Sequence, residues 1–208
     1  MTNNTTNNTT NNTTNNTPNN TTSNATNATN NTPQLQIATL GGGCFWCTEA
    51  VYQLVRGVHH VESGYTGGHT LNPTYDDICT GQSGHAEVVQ VHFDASIISY
   101  EQVLHIFFNT HDATTLNRQG HDVGTQYRSA IFTHNDAQAG IANAVMAEAQ
   151  NHSISPIVTH VQPLPVYYPA EAYHQNYYVQ HPFQGYCAGV VGPKVAKFKA
   201  TMKAFLRE

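Results

Sequence analysis

A cysteine that follows three glycines and opens a helix is built for nucleophilic sulfur chemistry, and this chain carries one in Gly41-Gly42-Gly43-Cys44. Glycines let the backbone turn sharply out of a strand and bare the first helical N–H groups. The positive end of the helix dipole then favours thiolate over thiol at Cys44. The alternative, a small hydrophobe at an ordinary helix start, leaves the glycine triplet without a purpose. Glu87 is the candidate acid. In His85 to Phe93 the alternate positions 87, 89, 91 and 93 are Glu, Val, Val and Phe, which puts the carboxyl on an apolar strand face. Burial there raises its pKa and can hold it protonated, as a proton donor. A glutamate paired with a cation is the competing reading, in a chain with only 8 Lys and Arg.

Cys47 completes a C-x-x-C with Cys44, but positions 44, 47, 51 and 54 (Cys, Cys, Val, Leu) share one helix face. A packed core residue is therefore the first reading, and a redox or resolving thiol the second. Cys187 sits in Gln184-Gly185-Tyr186-Cys187-Ala188-Gly189-Val190-Val191-Gly192, whose glycines describe a flexible arm able to bring a second thiol to a first. A sulfenic acid on Cys44 could condense with it to a disulfide. Cys79, with neither a glycine arm nor a helix start, reads as structural. Phe45, Trp46, Tyr75, Tyr127, Tyr173, Tyr177 and Tyr186 could line an apolar pocket rimmed with hydroxyls. The 13 histidines show neither H-E-x-x-H nor a paired Cys/His finger and read as polar surface; a lone C-x-x-C is likewise weak evidence for zinc.

The elements that must position these residues alternate along the chain. Strands are expected at Leu35 to Leu40, Val58 to Tyr65, His85 to Phe93, Gln126 to Phe132 and Ile157 to Gln162. Helices are expected at Cys44 to Arg56 with Gly57 as the stop, Ser99 to Asn109, Asp136 to Gln150, and from Pro193 onward. His111 to Thr125 and Pro163 to Gly192 resist assignment, and long loops in a compact domain are often functional. The expected fold is α/β (α+β), a two-layer sandwich of a mixed sheet with packed helices, in a ferredoxin-like arrangement.

The first 33 of the 208 residues hold 14 Asn and 13 Thr in a Thr-Asn-Asn-Thr repeat, with no apolar surface to offset the entropy of ordering. A disordered low-complexity tail over 1–33 and one catalytic domain over 34–208 are expected. The tail has neither the basic start and apolar middle of a signal peptide nor the arginines of a transit peptide, so a soluble cytoplasmic protein is expected. A net charge of −5 argues against nucleic-acid binding. No apolar run approaches the ~18 residues of a membrane span. Collagenous, coiled-coil and disulfide-stapled classes lack their repeats or cysteine density.

Five motifs in one register, from about Ile37 to about Gly192, carry a resemblance. Gly42-Gly43-Cys44-Phe45-Trp46, Ser63-Gly64-Tyr65, Asn72-Pro73-Thr74-Tyr75, Gly84-His85-Ala86-Glu87-Val88-Val89-Gln90-Val91 and Gly124-Thr125-Gln126-Tyr127-Arg128-Ser129-Ala130-Ile131 resemble those of the peptide methionine sulfoxide reductases of the A type. The resemblance implies reduction of methionine S-sulfoxide, free or in proteins, as repair of oxidative damage. It implies Cys44 as nucleophile, Phe45 and Trp46 as the pocket for the substrate methyl group, and Glu87 as the acid, helped by the Tyr75 and Tyr127 hydroxyls. Asp122 matches a polar residue of the same site and Cys187 the resolving cysteine, with thioredoxin reducing the disulfide. No bound cofactor or metal and a monomer are expected. Many relatives carry a small or apolar residue where Cys47 stands, so here a second thiol neighbours the nucleophile. The rivals are a general thiol-disulfide oxidoreductase using Cys44-x-x-Cys47 and a module held by zinc.

Overall fold

The computed structural model describes Met1 and residues 33–208, so the disorder expected of the Asn/Thr tail falls outside the described residues. In chain order the main elements are β1 (Leu35–Gly42), α1 (Phe45–Tyr52), β2 (Val58–Thr66), α2 (Tyr75–Cys79), β3 (Ala86–Asp94), α3 (Tyr100–Thr110), β4 (Arg118–Gln119), β5 (Asp122–Val123), β6 (Ser129–Thr133), α4 (Asp136–Asn151), β7 (His160–Pro163), β8 (Tyr167–Pro169), α5 (Tyr177–Gln180) and α6 (Gly192–Thr201). Six strands form one sheet in the order β7-β6-β1-β3-β2-β8, while β4 and β5 make a separate hairpin. All neighbours in the large sheet are antiparallel except β6 and β7, so the sheet is mixed and the fold is α/β. Its four inner strands follow a β-α-β-β-α-β path through β1, α1, β2, β3, α3 and β6.

The register explains where the chemistry can sit. Leu40 of β1 lies between Val89 of β3 and Ile131 of β6, all three fully buried. Val89, Val91 and Phe93 of β3 join Phe45, Tyr52, Leu104, Ile106 and Phe107 in one core, each large side chain contributing about 1.5–3 kcal/mol by its removal from water. Glu87 shares that strand face and lies opposite Tyr65 of β2. Both faces of β3 are covered at this end, since Ala86 and Val88 pack in a second cluster with Ala130 and Phe132. The helices begin where capping chemistry allows: Ser99 and Thr74 close capping boxes at α3 and α2, and Asn135 caps α4.

Several boundaries differ from the sequence expectation for tertiary reasons. The first helix stops at Tyr52 rather than Arg56, because the C-terminal segment captures the backbone beyond it. Val55 bridges Leu206, and the Arg56 N–H donates to the Phe205 carbonyl at 2.8 Å. Gly57, at φ +84°, therefore serves the turn into β2 instead of a helix stop, its carbonyl taking the Asp94 N–H. The strand expected from Gln126 begins at Ser129; Thr125–Tyr127 form a 3-10 turn, held by the Arg128 guanidinium on the carbonyls of Thr125 and Gly84. The strand expected from Ile157 begins at His160.

Candidate active site

β1 ends at Gly42, and Gly43 turns the chain at φ +91° into α1. A Cβ at Gly43 would stand 2.6 Å from the side chain of Gln119, so only glycine fits. The turn delivers Cys44 as the residue that caps α1, with no side chain bonded to the exposed amides there. One of those amides has a different partner. The Phe45 N–H donates to Glu87 Oε2 at 3.0 Å, and both groups are buried. Nucleophile and acid candidates are thereby fixed to the same turn of backbone, Glu87 from the sheet and Cys44 from the helix.

Burial pushes the Glu87 carboxyl up to about 8, with the Asp122 and Cys47 charges adding to it; the Phe45 N–H pulls the other way. The expected acid environment is therefore present, and the partner of the carboxyl is an amide rather than a cation. Cys44 departs from expectation. Its thiol is raised well above 9.0, first by burial, then by a hydrogen bond to Cys47 and by the Glu87 and Cys47 charges, and only Tyr186 lowers it. Desolvation of a thiol that is 7 % exposed outweighs the helix dipole from which the sequence reading inferred a thiolate. Cys47 is held below the usual thiol range, chiefly by its hydrogen bond from Cys44, with the Lys194 charge helping against burial.

The tyrosines assemble as expected. Tyr127 ends its 3-10 turn half-buried, and its hydroxyl is pushed up by burial and by the Glu87 and Cys44 charges. Tyr75 opens α2, also raised by burial, with a hydrogen bond to Cys79 and the Glu87 charge adding. Asp122, on β5, accepts the Tyr186 hydroxyl at 2.6 Å. Phe45 is buried, while Trp46 is partly exposed and stacks on Tyr177 at 3.8 Å with the rings 6° from parallel.

Cys187 corrects a second expectation. The glycine-rich arm is a π-helical turn, Cys187–Val191, running directly into α6, and Cys187 is fully buried. It packs in one cluster with Cys44, Cys47, Ala50, Val191 and Val195. Burial and the Cys47 charge push its thiol up. Glycine here permits close helix packing rather than reach. Cys79, read as structural, lies exposed at the end of α2 beside Tyr75.

The sequence reading missed two groups. His174, counted with the surface histidines, is 1 % exposed; its Nδ1 accepts the Trp46 indole N–H at 3.2 Å, and its ring packs 5.1 Å from Phe45 and 4.4 Å from Tyr75. Glu171 accepts the Tyr65 hydroxyl and the Tyr75 N–H, and although burial raises it, these bonds and His174 hold it below the usual carboxylate range. The Glu171–His174 spacing within the unassigned 163–192 segment was the available signal. Glu49, one turn beyond Trp46, is buried and pushed up to about 7 by burial, against the Asn176 and Tyr177 N–H groups. Asn176 begins α5 in a left-handed conformation, φ 55°, just before Tyr177.

Together these residues form a desolvated site with a thiol, a protonatable carboxyl and tyrosine hydroxyls around one buried point, beside two further thiols. That set can protonate an oxygen while a sulfur attacks the atom bearing it. Among the described residues no group of three or more His, Cys, Asp or Glu side chains is placed to hold a metal ion, and no helix is long and apolar enough to cross a membrane. A cavity of about 460 Å³ lined by His105, Phe108, Asp112, Ala113 and Glu148 involves none of the candidate residues.

Comparison with known proteins agrees with this chemistry. Residues 36–205 match the family described as peptide methionine sulfoxide reductase. The chain is similar to the peptide methionine sulfoxide reductase MsrA of Polynucleobacter asymbioticus, 56 % identical over 178 residues that cover 85 % of this chain and 94 % of the relative. It is equally similar to that of Saccharolobus solfataricus, 56 % identical over 82 % of this chain and 95 % of the relative. Among solved structures, methionine sulfoxide reductase A of Corynebacterium diphtheriae superposes with a TM-score of 0.68 at 34 % identity, covering 76 % of this chain and 80 % of that one. The reduced form of Mxr1 from Saccharomyces cerevisiae superposes with a TM-score of 0.68 at 35 % identity, covering 73 % and 88 %.

Proposed function

The chain belongs to the A-type peptide methionine sulfoxide reductases, and we propose how its own residues divide that reaction. The substrate is methionine S-sulfoxide, free or in oxidised proteins. Phe45 and Trp46 receive its methyl group, and the sulfoxide oxygen points at Glu87, Tyr75 and Tyr127. A sulfoxide sulfur is a poor electrophile until its oxygen is protonated. Glu87 therefore donates its proton to the oxygen as the Cys44 sulfur bonds to the substrate sulfur, and the tyrosine hydroxyls hold the oxygen in line. The oxygen passes to Cys44. Methionine leaves, and Cys44 is left as a sulfenic acid. Condensation with Cys187 expels water and gives a disulfide, which the dithiol of thioredoxin reduces. Asp122, through Tyr186, keeps a polar wall beside Glu87.

The observation that carries this reading is the 3.0 Å bond from the Phe45 N–H to Glu87 Oε2, which ties a raised carboxyl to the residue next to the nucleophile. All electrons pass through thiols, so the scheme has the enzyme working without a bound cofactor, as a cytoplasmic monomer. The catalytic domain is 34–208, in keeping with a family match that starts at residue 36, and the Asn/Thr-rich first 33 residues take no part in the chemistry. Single-turnover formation of methionine without thioredoxin tests the roles. The wild-type chain is expected to release one methionine per chain and Cys44→Ser none; methionine from Cys44→Ser would make another group the nucleophile.

A further inference from the structure

The site holds one thiol more than the reaction above uses. Cys47 lies one helical turn from Cys44, its N–H on the Cys44 carbonyl at 3.1 Å, in the cluster that also contains Cys187. Side chains three apart on a helix have Cβ atoms about 5–6 Å apart, close to disulfide range and nearer still where the first residue is a non-helical cap. The Cys44 and Cys47 thiols already touch through a hydrogen bond. We propose that Cys47 is a relay thiol: it condenses with the Cys44 sulfenic acid first, and Cys187 takes over by thiol–disulfide exchange.

This inference rests on the sulfoxide reductase reading of the same site. In the first step the Cys47 sulfur attacks the Cys44 sulfur, the S–OH bond breaks, and the proton of Cys47 leaves with the hydroxyl as water. In the second, the Cys187 sulfur attacks Cys44 in the Cys44–Cys47 disulfide. Cys47 departs and takes up the proton that Cys187 gave, leaving a Cys44–Cys187 disulfide. No oxidant is needed beyond the sulfoxide already reduced.

Relative acidity supports that order. The rate of thiol attack follows the thiolate fraction, and a thiol of lower pKa leaves faster. Cys47 has the Lys194 cation and the Tyr186 hydroxyl to favour its thiolate, whereas burial disfavours the thiolate of Cys187. Cys47 is thus the better first attacker and, in the exchange, the better leaving group. Its removal of the sulfenic acid by a neighbour already in contact also shortens the time in which a second oxidation could reach the irreversible sulfinic acid.

The test is single turnover with methionine sulfoxide and no thioredoxin, in full-length Cys187→Ser. Methionine is measured, sulfenic acid is trapped with a dimedone-type reagent, and thiols are mapped by mass spectrometry. One methionine per chain together with a Cys44–Cys47 disulfide and no trapped sulfenic acid is expected. One methionine with trapped sulfenic acid on Cys44 and Cys47 still alkylatable would overturn the relay while leaving the reductase reading intact; no methionine would overturn both. Rapid quenching of the wild type guards against a misfolded variant. The Cys44–Cys47 disulfide is expected to rise before Cys44–Cys187 and decay into it, and Cys44–Cys187 appearing with no such precursor would refute the relay.

Discussion

Replacing Glu87 by Gln separates catalysis from stability, because the two should move in opposite directions. The carboxyl is 2 % exposed and its pKa stands at about 8, against 4.5 for an ordinary glutamate. At about 1.4 kcal/mol per pH unit, that gap means the folded protein disfavours the ionised form by roughly 5 kcal/mol. A raised carboxyl contributes stability fully below about pH 4.5, and the contribution is lost as pH rises through 8. Gln keeps the shape and loses the titration. Relative to wild type, the variant should therefore gain about 3 kcal/mol between pH 4.5 and 7, and level off above 8. Its single-turnover methionine formation should fall by about 10²–10⁴, the usual worth of a positioned general acid. The wild-type rate has its own signature. Cys44 is less acidic than Glu87, so the reacting arrangement, thiolate with protonated carboxyl, is a minor form of the singly ionised site, about one part in ten or less. The rate should climb to about pH 8 and then flatten, and the break at 8 should be absent from Glu87→Gln. Denaturant melts across pH beside quenched-flow methionine assays measure both. A variant within about threefold of wild type that keeps the break at pH 8 would refute the acid assignment.

Other residues give independent checks. Gly43→Ala forces a side chain into a backbone at φ +91° and against Gln119, whose amide bonds both backbone groups of Asp112; a loss of about 3 kcal/mol or more in denaturant melts is expected, with activity falling alongside. His174→Phe leaves the Trp46 indole N–H without its acceptor, at a cost of about 1–3 kcal/mol; steady-state kinetics should show KM for the sulfoxide rising by about tenfold or more, with kcat changed less. Glu49→Gln removes a carboxyl raised to about 7, so its stability relative to wild type should improve as pH rises from 4.5 to 7 and stay level beyond, measured by the same melts.

The sequence reveals this site where one local rule decides the outcome. Three glycines before Cys44 require a turn, and the turn is there; Glu87 alternates with Val89, Val91 and Phe93, and the strand buries all four. It misleads where burial or distant chain intervenes. The helix dipole at Cys44 is a local effect, but desolvation of the thiol depends on Tyr186, Cys47 and Cys187 arriving from elsewhere. The end of α1 was hidden because its competitor for backbone hydrogen bonds is some 150 residues away, at Phe205 and Leu206. The glycines around Cys187 look mobile by composition and are helical by packing. His174 and Glu171 stayed invisible for the same reason: they lie in a segment without periodicity, and their value comes from the aromatic rings and amides they meet.

The central claim, that this domain uses Cys44 and Glu87 to reduce one epimer of methionine sulfoxide at the expense of thioredoxin, has a direct test. In a thioredoxin-coupled assay on separated epimers, the S-sulfoxide should be turned over and the R-sulfoxide left untouched; turnover of the R epimer alone, or of neither, would contradict it.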